Sequence, residues 1–420
     1  MGQLIPALPF IGILCSFAIL PGTVPRFWQR HMLGIITFWV ALAFVLESDL
    51  QGIVSAGHIL WQASFAEFLP FITLLLALYA LGGGIAIEGG PWGRPSGNLL
   101  LLIIGTVLAS VMGTVGASLL LIHPLLAANG HRFEKRHLVM AFIILVGNVG
   151  GALSPLGDPP LLVGFLRGVP FLWPIWHLWQ PLLVLVVPIL VICYGIDVYL
   201  SRHEAEPKRQ KLRVRGGINI VLLLLLTFAI PLEGVWHPGK VRVFGAVIAG
   251  EELALMLLAL GCIVISEWAT PRAIRYQNRF AWAGMREIVI LFFAIFATIT
   301  PVFGLLREVA LARDPLNWFW ASGIASAILD AAPTYLIFFE AAGGHAASLS
   351  VAPARLLTAI AAGSVFFGPL TYLGNAPNLM LREIAARRGV KMPGFFAFAG
   401  VMIVTLTPLY ALIGWLFFRV

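Results

Sequence analysis

Two short stretches, "GALSPLGDPP" (151–160) and "GPLTYLGNAP" (368–377), carry the residues best suited to chemistry. They match at five of ten positions and are offset by 217 residues, about half of the chain. At that offset Ser154 pairs with Thr371, Gly157 with Gly374, and Asp158 with Asn375. Asn148 in "VGNVGG" precedes the first stretch and Asn378 closes the second, so oxygen-bearing side chains gather around both. Such oxygens suit a hard cation such as sodium. Asp158 is the acidic member of the pair, and a carboxylate among apolar runs is a functional candidate by default. It can hold a proton or a cation, not both, which is the chemical basis of exchange. Asp330, in "ILDAAPT" with Thr334, is the second acidic candidate, and Asp158, Asp330 and Asn375 together form the expected sodium-binding set. Each aspartate equally suits the N-cap of a following helix, where it would carry no cargo.

The elements that must position these residues are membrane helices. The 420-residue chain is 60% hydrophobic and 11% charged, too apolar for a soluble domain to cover. Runs near the roughly 20 residues needed to cross a hydrocarbon core recur along it, giving an all-α polytopic membrane protein with roughly 11 to 13 hydrophobic segments. Gly-Asp-Pro-Pro and Gly-Asn-Ala-Pro cannot continue a helix, because proline lacks the N–H and clashes with the preceding turn. Backbone opened inside a bilayer survives where it lines a cavity. Paired breaks near mid-membrane are where inverted-repeat transporters bind cargo. A proline kink without ligand contact is the plainer alternative.

The net charge of +8 reports orientation. Threaded with the first loop inside, the cytoplasmic segments 22–31, 89–97, 131–137, 201–216, 268–286 and 382–391 hold 20 of the 27 Lys and Arg. The opposite loops 47–58, 167–174, 233–248, 307–316 and 343–355 hold six. That is the positive-inside bias, and no nucleic-acid partner follows from it. The first basic residue, Arg26, follows the first apolar run, so 4–20 reads as a retained helix. Cys15, Cys193 and Cys262 lie in apolar runs without metal spacing and read as packing residues. Glu67, Glu251, Glu252 and Glu287 read as interfacial, and "GGG" (82–84) as a helix end. No nucleophile triad or nucleotide motif is evident, so neither an enzyme nor a bound cofactor is expected.

This threading requires two re-entrant hairpins, about 98–130 and 316–342, each followed by a broken helix, about 137–170 and 355–388. The basic "HRFEKRH" follows the first hairpin and the nearly uncharged "GGHAASLSVAPAR" the second, so the halves are expected to be inverted. The halves are 1–200 and 218–420, joined by a basic cytoplasmic linker, 201–217, that reads as solvated or drawn to lipid headgroups. His123 and Pro124 are expected at the turn of the first hairpin, where His123 either titrates or is held by hydrogen bonds.

With these pieces assembled, the chain resembles the ion transporter superfamily. "NVGGALSPLGDPP", "SAILDAAPT" and "TYLGNAPN" look most like NhaD-type sodium/proton antiporters and related citrate-transport membrane proteins. The resemblance implies an elevator-like mechanism, often in a homodimer, with Ser154, Asp158, Asp330, Thr371, Asn375 and Asn378 at the site. "LLLIHPLL" in the first hairpin departs from the pattern, having neither an acidic counterpart of Asp330 nor the Ser-Asn-Thr signature of sodium/dicarboxylate symporters. The expected activity is exchange of sodium, or lithium, for protons across a bacterial inner membrane. The alternative is a sodium- or proton-coupled citrate or organic-anion symporter. The expected partners are the lipid bilayer and a small cation or organic anion.

Overall fold

A computed structural model describes residues 2–202, 204, 210–234, 236–243, 245–278, 280–302, 314–350 and 354–419. Among them, seven helices are long and apolar enough to cross a membrane: Arg26–Gln51, Ile53–Gly83, Pro95–Met112, Arg136–Leu153, Trp173–Ser201, Gly250–Ala269 and Phe395–Phe418. Four shorter apolar helices, Ile5–Phe17, Thr114–Ala128, Gly217–Leu232 and Arg355–Leu370, accompany them. Proline stands in the first turn at Pro25, Pro95, Pro159 and Pro315, where its missing N–H has no intrahelical partner to lose. The outer helices turn large apolar side chains outward, among them Phe38, Val45, Val191, Val221, Val264 and Val404. Water would penalise such a surface and lipid does not, so the chain is a multi-pass, all-α membrane protein.

With these helices stand two hairpins and two broken helices, whose residues around the breaks are buried. The first hairpin runs Pro95–Met112, then Thr114–Ala128; the second runs Pro315–Leu329, then Ala331–Ala341. The first broken helix is Arg136–Leu145, an irregular passage, then the half-helix Pro159–Leu166. The second is Arg355–Phe366, a passage through Gly368–Leu370, then Ala376–Arg387. The second arm of each hairpin packs on the half-helix of the opposite half: Ala331–Ala341 on Pro159–Leu166, and Thr114–Ala128 on Ala376–Arg387. The two halves are thereby interlocked around the breaks.

Two expectations are corrected. The first hairpin turns at Gly113, not at His123 and Pro124, which are buried within its second arm. The turn needs φ +81°, ψ 150°, a conformation open to glycine and closed to most L side chains. The linker is also not wholly a solvated loop. Gln210–Arg215 pairs antiparallel with Ala86–Gly90, and Arg215 meets Glu88 at 3.2 Å. Positions 203 and 205–209 of the linker, and 307–313 of the outer loop expected at 307–316, lie outside the described residues.

Candidate functional site

The breaks are tied to the hairpin tips by hydrogen bonds that recur at the offset of 217. The Ser154 hydroxyl donates to the Ser110 carbonyl, and the Thr371 hydroxyl donates to that of Ala327 at 2.6 Å. Each then accepts a backbone N–H two residues on, from Leu156 at 3.2 Å and Leu373 at 3.1 Å. Ser154 and Thr371 therefore fix the shape of the breaks as well as bringing oxygens to them. At Gly157 a Cβ would collide with the Gly151 carbonyl, and at Gly374 it would stand 2.5 Å from that of Gly368. Both breaks are loops closed tightly on themselves, and glycine is what allows the closure.

Asp158 and Asn375 begin the two half-helices and meet in the buried interior. The Asn375 amide donates to Asp158 Oδ1 at 3.3 Å and to the Gly147 carbonyl at 3.3 Å. The Thr114 hydroxyl donates to the same Oδ1 at 3.3 Å. Asp158 is 1% exposed, its side chain does not cap its own helix, and Oδ2 has no hydrogen-bond partner among the described residues. The capping alternative therefore fails for Asp158. Half of its carboxylate is satisfied by protein, and the other half is available to a proton or a cation. It lines a cavity of about 20 Å³ with Leu75, Leu78, Tyr79, Met285 and the hairpin tip. That space holds about one water-sized species.

The asparagines extend this arrangement across the halves. Asn148 donates to the Ile143 carbonyl and to Asn378 Oδ1, each at 2.7 Å, and its own Oδ1 has no hydrogen-bond partner among the described residues. The Asn378 amide donates to the carbonyls of Gly368 and Thr371, each at 2.9 Å. The Thr334 hydroxyl is spent within its own helix, on the Asp330 carbonyl at 2.8 Å.

Asp330 occupies the tip of the second hairpin. It accepts from the Ala332 N–H at 3.2 Å, so in this conformation it is a helix cap. Its backbone is at φ +82°, ψ 148°, and no other non-glycine among the described residues has positive φ. Its repeat mate is Gly113, at φ +81°, ψ 150°. Strain of this kind costs of order 1–3 kcal/mol and is retained where the side chain is needed. Asp330→Gly is accordingly expected to raise stability by about 1 kcal/mol, because glycine relieves the strain and replaces a cap at a loss of a few tenths. Asp330→Ala keeps the strain, loses the cap and is expected to fall below the parent. Thermal unfolding of the purified proteins in one detergent decides; a glycine variant less stable than the parent would remove the strain argument.

Thr114, Gly113 and Ser110 also stand at this candidate site, where sequence reasoning did not place them. Gly113 was open to discovery, since it is the residue 217 positions before Asp330.

Residues 2–418 match a family described as "Putative citrate transport". The chain belongs to that family. Two relatives are each described as an "uncharacterized transporter", one from Mycobacterium bovis and one from Mycobacterium tuberculosis. Each is 26% identical over 325 residues, covering 71% of either chain. The family and the two relatives agree on a membrane transporter, and the fold is that of a membrane protein.

Proposed function

We propose that this member of the family is a secondary active transporter of a bacterial inner membrane that exchanges sodium, or lithium, for protons. The observation carrying the reading is Asp158, a buried carboxylate with one unsatisfied oxygen, beside a cavity the size of a single small species. Occupation by sodium on one side and by a proton on the other, joined by alternating access, gives exchange. Asn375, its repeat mate, supplies an amide in place of a second charge, and the carbonyls of the opened helices offer further neutral oxygens. The hairpins and half-helices form the moving unit of an elevator-like motion, in a homodimer, against the outer helices.

The second reading is cation-coupled transport of citrate or another organic anion. Two observations favour it: the family description and the two half-helix N-termini, at Pro159 and Ala376, that converge on the breaks. In that case Asp158 holds the coupling cation, and the anion binds in a more open conformation than this one. A proteoliposome assay with an internal pH dye separates the two. Pulses of sodium, lithium, potassium and citrate are applied in turn. Sodium- or lithium-triggered proton movement without citrate is the expected result; movement that requires citrate sinks the exchange reading in favour of symport.

A further inference from the structure

Arg167 follows directly on the half-helix that begins at Asp158, and it is held between two carboxylates. Its Nη1 donates to Glu340 Oε1 at 2.8 Å and its Nη2 to Glu67 Oε2 at 2.6 Å. The two bonds differ in kind. Glu340 is buried on the second arm of the second hairpin, which packs on the same half-helix and belongs to the same inner unit. Glu67 has a side chain 41% exposed and lies in the π-helical turn Ala63–Phe68, within the outer helix Ile53–Gly83. The Leu69–Gly83 part of that helix packs on Gly250–Ala269 and also on Thr114–Ala128 and the Asp158 half-helix, whereas the turn that carries Glu67 packs on Ala283–Thr298. One bond joins parts of the inner unit, and the other crosses from it to the surrounding helices. A widened turn inside a helix is often found at functional positions.

Two cavities lie toward opposite ends of this half-helix. The small one at Asp158 is lined by Leu78, Tyr79 and Met285. Leu78 and Tyr79 belong to the half of Ile53–Gly83 that leads to the basic, cytoplasmic side. The other, about 190 Å³, is lined by Glu67, Arg167, Val163, Leu166, Glu252 and Phe296. Arg167 is nine positions after Asp158, about 13 Å along the half-helix, and Val163 and Leu166 stand at the larger cavity.

We infer that the Glu67–Arg167 ion pair is a latch that holds the Asp158 half-helix against the outer helices and keeps the outer end of the pathway shut in this conformation. The inference rests on the transport reading only for its sidedness and its need of alternating access. Any shift that brings Asp158 toward the larger cavity slides the half-helix along Ile53–Gly83. A shift of roughly 2 Å is enough to carry a 2.6 Å contact beyond ion-pair range. The Glu340 bond travels with the half-helix and survives. A partly exposed pair biases a two-state equilibrium by a few fold, enough to favour one state without freezing the cycle.

The test uses the full chain with Cys15, Cys193 and Cys262 replaced by alanine and Val163→Cys as reporter, in right-side-out vesicles. A membrane-impermeant maleimide is added outside and the labelling rate measured without any transported ion. Glu67→Gln is expected to speed labelling about two- to five-fold. Glu67→Lys, which sets like charges opposite one another, is expected to speed it more, and Glu67→Asp to stay near the parent. Raising choline chloride should speed the parent, because salt screens an exposed pair, and leave Glu67→Gln unchanged. Unaltered rates in Glu67→Gln together with no salt effect on the parent overturn the latch, even where Glu67→Lys fails to insert. Because no cargo enters the assay, a latch that responds as expected stands even if sodium–proton exchange is not found, and the converse also holds.

Discussion

Asp158→Asn is expected to leave a folded, membrane-inserted protein whose sodium-dependent proton flux falls at least about 100-fold. Asparagine is nearly isosteric with aspartate, and the site already accepts an amide at the equivalent position, Asn375. Thr114 can still donate to the new Oδ1, as it does to the old one. The loss is therefore electrostatic. A sodium ion at about 2.4 Å from a carboxylate oxygen gains several kcal/mol even at an effective dielectric of about 20. Each 1.4 kcal/mol is a factor of ten in affinity, so removing the charge costs well over 100-fold. The amide also cannot take up the proton that the return step requires. Size-exclusion elution establishes folding, and initial rates of dye response in proteoliposomes measure flux. Near-parental flux from a properly folded Asp158→Asn protein would falsify the assignment of Asp158 as the coupling residue.

The breaks and their pairing were legible because they violate the local rule for membrane helices, and a violation repeated at a fixed offset is hard to produce by packing alone. Proline beside glycine and a carboxylate marks Asp158 in any window of the sequence, and the identities around Asn375 mark its mate. The hairpin tips were harder. One tip is Gly113 and the other Asp330, so a search by residue type sees an acid in one half and nothing in the other. What they share is a positive φ, a backbone property that glycine announces weakly and aspartate hardly at all. His123-Pro124 drew the turn to the wrong place because proline usually breaks a helix, whereas here Pro124 lies inside one. Arg167 left no local signal. Its partners stand 100 residues before it and 173 after it, and a pairing made only by tertiary folding has no period or spacing to read.

The strongest test of the paired breaks is the reverse substitution, Asn375→Asp. In the parent the two repeat mates meet as one carboxylate and one amide, 3.3 Å apart. Two carboxylates at that separation interact unfavourably by several kcal/mol at an effective dielectric of about 20. The pair therefore keeps one proton where each group alone would have released it. Sodium must displace that proton, so the pH profile of exchange is expected to move to higher values, by about one unit or more. Asn375→Ser, which keeps an oxygen without the charge, is expected to weaken transport and leave the profile near the parental one. The comparison separates charge from loss of the amide bonds to Asp158 and to the Gly147 carbonyl, since both variants lose those. Initial exchange rates from about pH 6 to pH 9 resolve a displacement of this size. An active Asn375→Asp protein with an unmoved profile means that the charge introduced in one break is not felt in the other, and then the breaks do not act as one site.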